Sequence, residues 1–194
     1  MIKLDAQYWN NRYLQNTNRW DLGHISPPLK VYIDTLQNKN LKILIPGGGN
    51  SYEAEYLHKL GFKNVFVIDL AQTPLKNIQI RVPTFPKECL LEGDFFELND
   101  FFDLILEQTF FCALHPKLRP NYVEKMKTLL KPDGKLAGLL FNVPLYQEHP
   151  PFGGSKEEYL NLFSDKFLIN SLEIATNSDN TRKGRELFFE LTNK

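Results

Sequence analysis

The chain has 194 residues, 42% of them apolar and 13% aromatic, and its 23 Lys plus Arg balance 23 Asp plus Glu to a formal net charge of zero. A nucleic-acid binder needs a basic excess to neutralise phosphates, and a disordered chain lacks this supply of rings to bury, so neither class fits. The length suits one domain, residues 1–194, with a core of its own.

In chain order, the first five residues contain no apolar signal core, and no later run approaches the roughly 18–20 apolar residues of a membrane span. A cytoplasmic protein with no membrane partner is the expectation. Residues 1–40 read as a cap rather than a sheet element. They hold both tryptophans, Trp9 and Trp20, and end in a helical stretch from 27 to about 36 opened by Pro27 and Pro28. Residues 42–45 then form a short apolar strand ending at Pro46, followed at once by Gly47, Gly48 and Gly49. Asn50 and Ser51 suit a helix N-cap, Tyr52, Tyr56, Leu57 and Leu60 mark one helical face, and Gly61 supplies the stop. Residues 65–69 read as the next strand, which completes a βαβ signature in under about thirty residues.

Residues 78–83 lack a clear helical period, so the connection toward Asp94 reads as short and irregular. Residues 102–107 are a buried strand, 120–130 a helix, 131–134 a turn with Gly134 available for a positive φ, and 135–141 another strand. A helix over 156–163 precedes two strands, 167–175 and 185–191, joined by the polar stretch 176–184, which is too short for a crossover helix. The fold class expected is α/β, Rossmann-like, with a mostly parallel sheet and a C-terminal antiparallel hairpin. The two cysteines, Cys89 and Cys112, are too few for a disulfide framework or a Cys-rich metal site and read as small buried residues.

In α/β sheets ligands bind beyond the carboxyl ends of the strands. Here those ends carry Gly47 to Gly49, Asp69, Asp94 and Glu107 with Gln108. Asp69 lies twenty residues beyond Gly49, the offset of a carboxylate that accepts ribose hydroxyls. Asp94 and Phe95 can place an acceptor and an aromatic wall around an adenine. A nucleoside cofactor is the reading. Tyr52 stands where a dinucleotide fingerprint has its third glycine, and no Walker lysine follows the turn, which argues against NAD and ATP. S-adenosylmethionine has no pyrophosphate and asks for neither feature.

Trp9-Asn10-Asn11-Arg12-Tyr13, Trp20-Asp21-x-Gly23 with Pro27, Ile45-Pro46-Gly47-Gly48-Gly49, Val67-Ile68-Asp69 and Gly93-Asp94-Phe95-Phe96 form one set of motifs. Phe102-Asp103, Thr109-Phe110-Phe111-Cys112-Ala113, Arg119, Leu129 to Gly134 and Pro150-Pro151-Phe152 form another. Together they resemble the thiopurine S-methyltransferase family, and most closely its thiol and halide methyltransferase branch. The resemblance implies a class I methyltransferase that uses S-adenosylmethionine without a metal. It implies that Trp9, Tyr13 and Trp20 fold over the cofactor, and that Gly47 and Gly49 hold its methionine part. Asp69, with Leu70 beside it, takes the ribose, Asp94 and Phe95 the adenine, and Glu107 and Gln108 the amino-acid end. The sequence departs from the family's turn, commonly Gly-Cys-Gly or Leu-Cys-Gly. It also has Gln108 where drug-methylating members carry arginine and the halide branch often tyrosine.

A sulfonium methyl is already activated, so transfer asks for in-line positioning more than acid–base help. No catalytic side chain is assigned. His24 and His115 could assist thiol deprotonation but read as ordinary surface or structural histidines. Phe110, Phe111, Tyr146 and Phe152 are the candidate lining of the acceptor site, with core packing or a plain connecting loop as the competing reading. Glu107 to Phe111 differs from the Asn/Asp-Pro-Pro-Tyr motif that orients amines, which disfavours amine or nucleic-acid acceptors. The expected function is methyl transfer to a small thiol, sulfide, thiopurine-like or halide acceptor, by a monomer whose partner is a small molecule. The alternatives are a methyltransferase-fold protein that only binds the cofactor, and a nucleotide-dependent oxidoreductase.

Overall fold

Residues 3–194 are described by a computed structural model, which divides into two units, one running to Leu98 and the other beginning at Asn99. Met1 and Ile2 lie outside the described residues, as does that part of the no-signal reading. The first unit contains α1 (Ala6–Leu14), α2 (Pro27–Asp34), β1 (Lys42–Pro46), α3 (Tyr52–Lys59), β2 (Asn64–Asp69), α4 (Gln72–Arg81) and β3 (Leu90–Glu92). The second contains β4 (Phe102–Gln108), α5 (Arg119–Leu129), β5 (Leu130–Phe141), α6 (Lys156–Phe163), β6 (Phe167–Ile174) and β7 (Glu186–Asn193). Among the described residues, no helix is long and apolar enough to cross a membrane.

In the first unit the strands run in the order β3-β2-β1, all parallel, with Ile45 opposite Val67 and Asp69 opposite Glu92. Ile43, Leu44, Ile45, Val67 and Ile68 are buried as a near-continuous run, the pattern of parallel strands covered on both faces. Helix α1 starts where the Asp5 carboxylate accepts the Tyr8 N–H at 2.9 Å, and α3 stops at Leu60 with Gly61 at φ +84° just beyond.

Two expectations in this unit need correction. Ser51 occupies the N-cap position of α3 but does not cap it; its backbone is left-handed and its hydroxyl is buried without a partner. Residues 78–83 are not irregular, because α4 covers the first four of them. Its buried face is only Pro74, Leu75 and Ile78, too few to print a period on the sequence. The missing start signal of α4 comes from elsewhere in the unit: Asn10 Oδ1 on α1 accepts the Thr73 N–H at 2.9 Å.

In the second unit the order is β4-β5-β7-β6. β4 and β5 are parallel, and β7 is antiparallel to both of its neighbours. The expected hairpin is therefore present, but its second strand lies inside the sheet and its first, β6, forms the edge. Alternation along β7, with Leu187, Phe189 and Leu191 buried, fits that interior place. The mixed α/β class, with mostly parallel strands and an antiparallel C-terminal pair, is the one expected. The turn at 131–134 is absorbed into an irregular start of β5, and the positive φ falls on Asp133 (+61°) rather than on Gly134. Helix α6 begins where Ser155 Oγ accepts the Glu158 N–H, a capping-box spacing that agrees with the 156–163 expectation.

Candidate active site

In the first unit the glycine turn and the end of β2 are tied to each other. Asp69 is 8% exposed; its Oδ2 accepts the Gly49 N–H at 2.9 Å and its Oδ1 accepts the Ala71 N–H at 2.8 Å. Its backbone carbonyl accepts the Gly93 N–H at 3.0 Å, which brings the end of β3 and Asp94 alongside. Burial holds the Asp69 carboxyl above its ordinary range, against the two N–H donors that pull it down. Each carboxylate oxygen can accept further bonds.

The cap closes on this turn through Tyr13. A Cβ built at Gly49, whose φ is +55°, would overlap the Tyr13 hydroxyl. Only glycine admits both the left-handed backbone and that approach. Trp20 Nε1 donates to the same hydroxyl at 3.3 Å, and the Trp20 ring lies edge-on to Trp9 (5.5 Å) and to Tyr13 (5.8 Å). Burial raises the Tyr13 hydroxyl's pKa, and the charge of Asp69 raises it further. Asp21 completes the closure: one oxygen accepts the Gly23 N–H at 2.7 Å and the other takes Asn50 Nδ2 from the turn. Asn50 Oδ1 in turn accepts Asn77 Nδ2 of α4 at 3.0 Å. Trp9, Tyr13, Trp20, Gly47, Gly49, Asp69 and Leu70 are thus one neighbourhood. Asp94 is exposed and caps the turn at Phe96 at 2.9 Å, while Phe95 is buried. Asn10, Asp21 and Asn50 were not singled out as functional side chains; the Asp-x-Gly spacing of an Asx turn was the available signal for Asp21.

This geometry accommodates a nucleoside cofactor. A buried carboxylate with further acceptor capacity ends β2, a turn free of Cβ atoms precedes it, and half-buried indoles pack behind the Tyr13 that closes on the turn.

The second unit carries the rest of the candidate residues. Glu107 is 0% exposed: Oε1 accepts the Phe110 and Phe111 N–H groups at 2.7 and 2.8 Å, and Oε2 accepts the Tyr122 hydroxyl at 2.6 Å. Burial pushes its carboxyl up to about 7. The side chain expected at the cofactor's amino-acid end therefore organises its own loop. Thr109 follows at φ +60°, a region that a β-branched residue enters at a cost of about 1–3 kcal/mol. Gln108 is half-buried and its Oε1 has no partner.

Of the four lining candidates, Phe110 is half-buried, whereas Phe111 is 1% exposed among Tyr122, Tyr159 and Phe163 with the Arg119 guanidinium over its ring. Phe111 is core. Phe152 is likewise buried, 5.5 Å from the His115 ring, and its N–H donates to Cys112 O at 2.7 Å. That bond joins the 150–152 segment to the 109–113 loop. Tyr146 is exposed and its ring lies tilted against His149, with centroids 4.2 Å apart. His115 Nδ1 accepts the Lys117 N–H, a turn-capping role.

The model of the thiopurine S-methyltransferase (TPMT) family matches residues 4–192. A probable thiol methyltransferase 2 of Arabidopsis thaliana is 31% identical over 78% of this chain and 69% of its own length. Thiocyanate methyltransferase 1 of Brassica oleracea is 28% identical over 92% of this chain and 81% of its own. The solved 1,6-didemethyltoxoflavin-N1-methyltransferase of Burkholderia thailandensis superposes with a TM-score of 0.81 over 97% of this chain and 87% of its own, at 15% identity, and so shares the fold. With the glycine turn, the β2 carboxylate and the aromatic cap in place, the chain belongs to the thiopurine S-methyltransferase family and is an S-adenosylmethionine-dependent methyltransferase.

Proposed function

We propose that this enzyme moves the methyl group of S-adenosylmethionine to a small, soft nucleophile, with thiols and sulfide first and halides or thiopurine-like compounds next. The observation that carries the cofactor half is the Asp69 carboxylate, held at the end of β2 by Gly49 and Ala71 beneath the Tyr13–Trp20 closure. Asp69, with Leu70 beside it, takes the ribose hydroxyls, the backbone at Gly47 and Gly49 holds the methionine part, and Asp94 and Phe95 take the adenine. Gln108 serves the amino-acid end. Trp9 and Trp20 exclude water and present ring faces to the sulfonium cation, an attraction worth about 0.5–2 kcal/mol.

The bound cofactor supplies an activated methyl. The chain's own task is orientation and desolvation, and no side chain is assigned as an obligatory base. Phe110, Tyr146 and the segment around Phe152 support the acceptor side, and the relatives named for thiol and thiocyanate methylation favour a sulfur nucleophile. The chain is read as one methyltransferase domain, supported by the span of the family match over residues 4–192. The working form is a monomer in the cytoplasm, a reducing compartment that suits the free thiols of Cys89 and Cys112; sedimentation tests the assembly state.

The deciding experiment measures S-adenosylhomocysteine release across sulfide, small thiols, a thiopurine, iodide and an amine control. Turnover with thiols or sulfide and none with the amine is expected. Methylation of the amine alone would refute the acceptor assignment, and tight cofactor binding with no turnover on any acceptor would mark a binding-only protein.

A further inference from the structure

We propose that Glu107 is a positioning residue for methyl transfer, the group that holds the 109–113 loop in the shape that presents Phe110 to the acceptor. This inference rests on the acceptor-side reading given above. The carboxylate turns back on its own chain. Both amides that follow the left-handed Thr109 donate to one oxygen, and Tyr122, from α5, donates to the other. A strained turn persists only when its surroundings over-determine it, and these three bonds do so at the point of strain. Two further contacts extend the control. The Cys112 thiol donates to Thr109 O at 3.2 Å, and Cys112 O receives the Phe152 N–H, so the 150–152 segment follows the loop. β5 leaves space for this arrangement, because a Cβ at Gly138 would strike the backbone and Cβ of Glu107.

Glu107 has no solvent exposure, so its side chain presents no surface on which a ligand could rest. Its influence must pass through the loop. A misplacement of about 1 Å at a reacting group can cost on the order of a hundredfold in rate. Glutamine preserves most of the arrangement: its oxygen accepts the two amides, and its NH2 donates to the Tyr122 hydroxyl, which rotates to accept. Alanine preserves none of it.

The test compares Glu107→Ala, Glu107→Gln and Tyr122→Phe by three readouts. These are S-adenosylhomocysteine affinity, amide hydrogen exchange over residues 109–113, and kcat and KM for a small thiol. Glu107→Ala should keep the cofactor affinity, lose exchange protection in the loop and fall roughly a hundredfold in kcat/KM, with Glu107→Gln returning most of the loss. Cofactor affinity that falls as far as turnover would overturn the inference, because Glu107 would then be a cofactor contact. Equal losses in Ala and Gln with protection intact would overturn it as well. Should Glu107→Ala fail to fold, Tyr122→Phe decides: a smaller loss of kcat with cofactor affinity kept supports positioning, and an unaltered kcat refutes it. A wild type that methylates no thiol would sink the acceptor reading instead, while the exchange comparison, made without substrate, still decides whether Glu107 holds the loop.

Discussion

Placing a methyl group at position 49 should stress the closure of the cap in a way that the loss of one oxygen relieves. Gly49 has φ +55°, so alanine there pays about 1–2 kcal/mol for the left-handed backbone alone. Its Cβ also overlaps the buried Tyr13 hydroxyl, and forced overpacking of this kind costs roughly 1–3 kcal/mol. Gly49→Ala should therefore destabilise by about 2–5 kcal/mol. Tyr13→Phe removes the hydroxyl and its 3.3 Å bond from Trp20, a loss of about 1 kcal/mol. With the hydroxyl gone, the nearest atom to the new Cβ is Tyr13 Cζ at 3.5 Å, an ordinary contact. The double variant should then be less damaged than the sum of the singles, by roughly the 1–3 kcal/mol overpacking cost. Urea denaturation of the four proteins measures this directly. Additivity to within about 0.5 kcal/mol would show that Tyr13 and Gly49 do not meet, and would refute the closure geometry.

Further expectations concern pH, the α1 anchor and the indole. Glu107 moves from its ordinary 4.5 to about 7, so between those values the native state keeps a proton that the unfolded chain has released. Its contribution to stability is complete below about pH 4.5 and is lost as pH rises through 7, a change of about 3 kcal/mol. Glu107→Gln should gain on the wild type in urea as pH goes from 5 to 8, and a constant difference between the two would contradict the burial assigned to this carboxylate. Asn10→Ala removes the acceptor for the Thr73 N–H and should cost about 0.5–2 kcal/mol, with α1 exchanging its amides faster; unaltered exchange would show that α1 is anchored by other contacts. Trp20→Ala should lower turnover with the sheet intact by far-ultraviolet circular dichroism, and full turnover would deny the cap its water-excluding role.

Much of the architecture is written locally. The run 42–45, the glycines, the face Tyr52–Tyr56–Leu57 and Asp69 lie within one βαβ unit, whose periods and caps are near in sequence. The helical stretch 156–163 was legible in the same local way, and α6 covers those residues. What failed to show depends on partners distant in the chain. Helix α4 borrows its first hydrogen-bond acceptor from Asn10, 63 residues earlier, so no cap stands beside it. The place of β7 between β5 and β6 depends on which edge is open, and the polar stretch 176–184 is silent on that.

The candidate site divides along the same line. Asp69 was readable from its offset to Gly49, because that distance is set by one strand, one turn and one helix. Phe110 and Phe111 are the same residue type side by side and both meet Tyr122, and only the presence of Tyr159 and Phe163 around Phe111 sends that one into the core. Glu107 had a local signal that went unused, since a carboxylate three and four residues before two amides can accept both across a tight turn.

The measurement closest to the central claim is the affinity of S-adenosylmethionine for the wild type and for Asp69→Ala by calorimetry, with the folded fraction of each checked by denaturation. The check matters because Asp69 also holds the Gly49 and Ala71 amides. Loss of the charged acceptor for the ribose should cost about 1.5–3 kcal/mol, or roughly ten- to a hundredfold in Kd. A saturable wild-type isotherm, weakened by that factor in a variant that remains folded, is the predicted result. Equal affinity in the two folded proteins, or no binding by the wild type, would contradict the account.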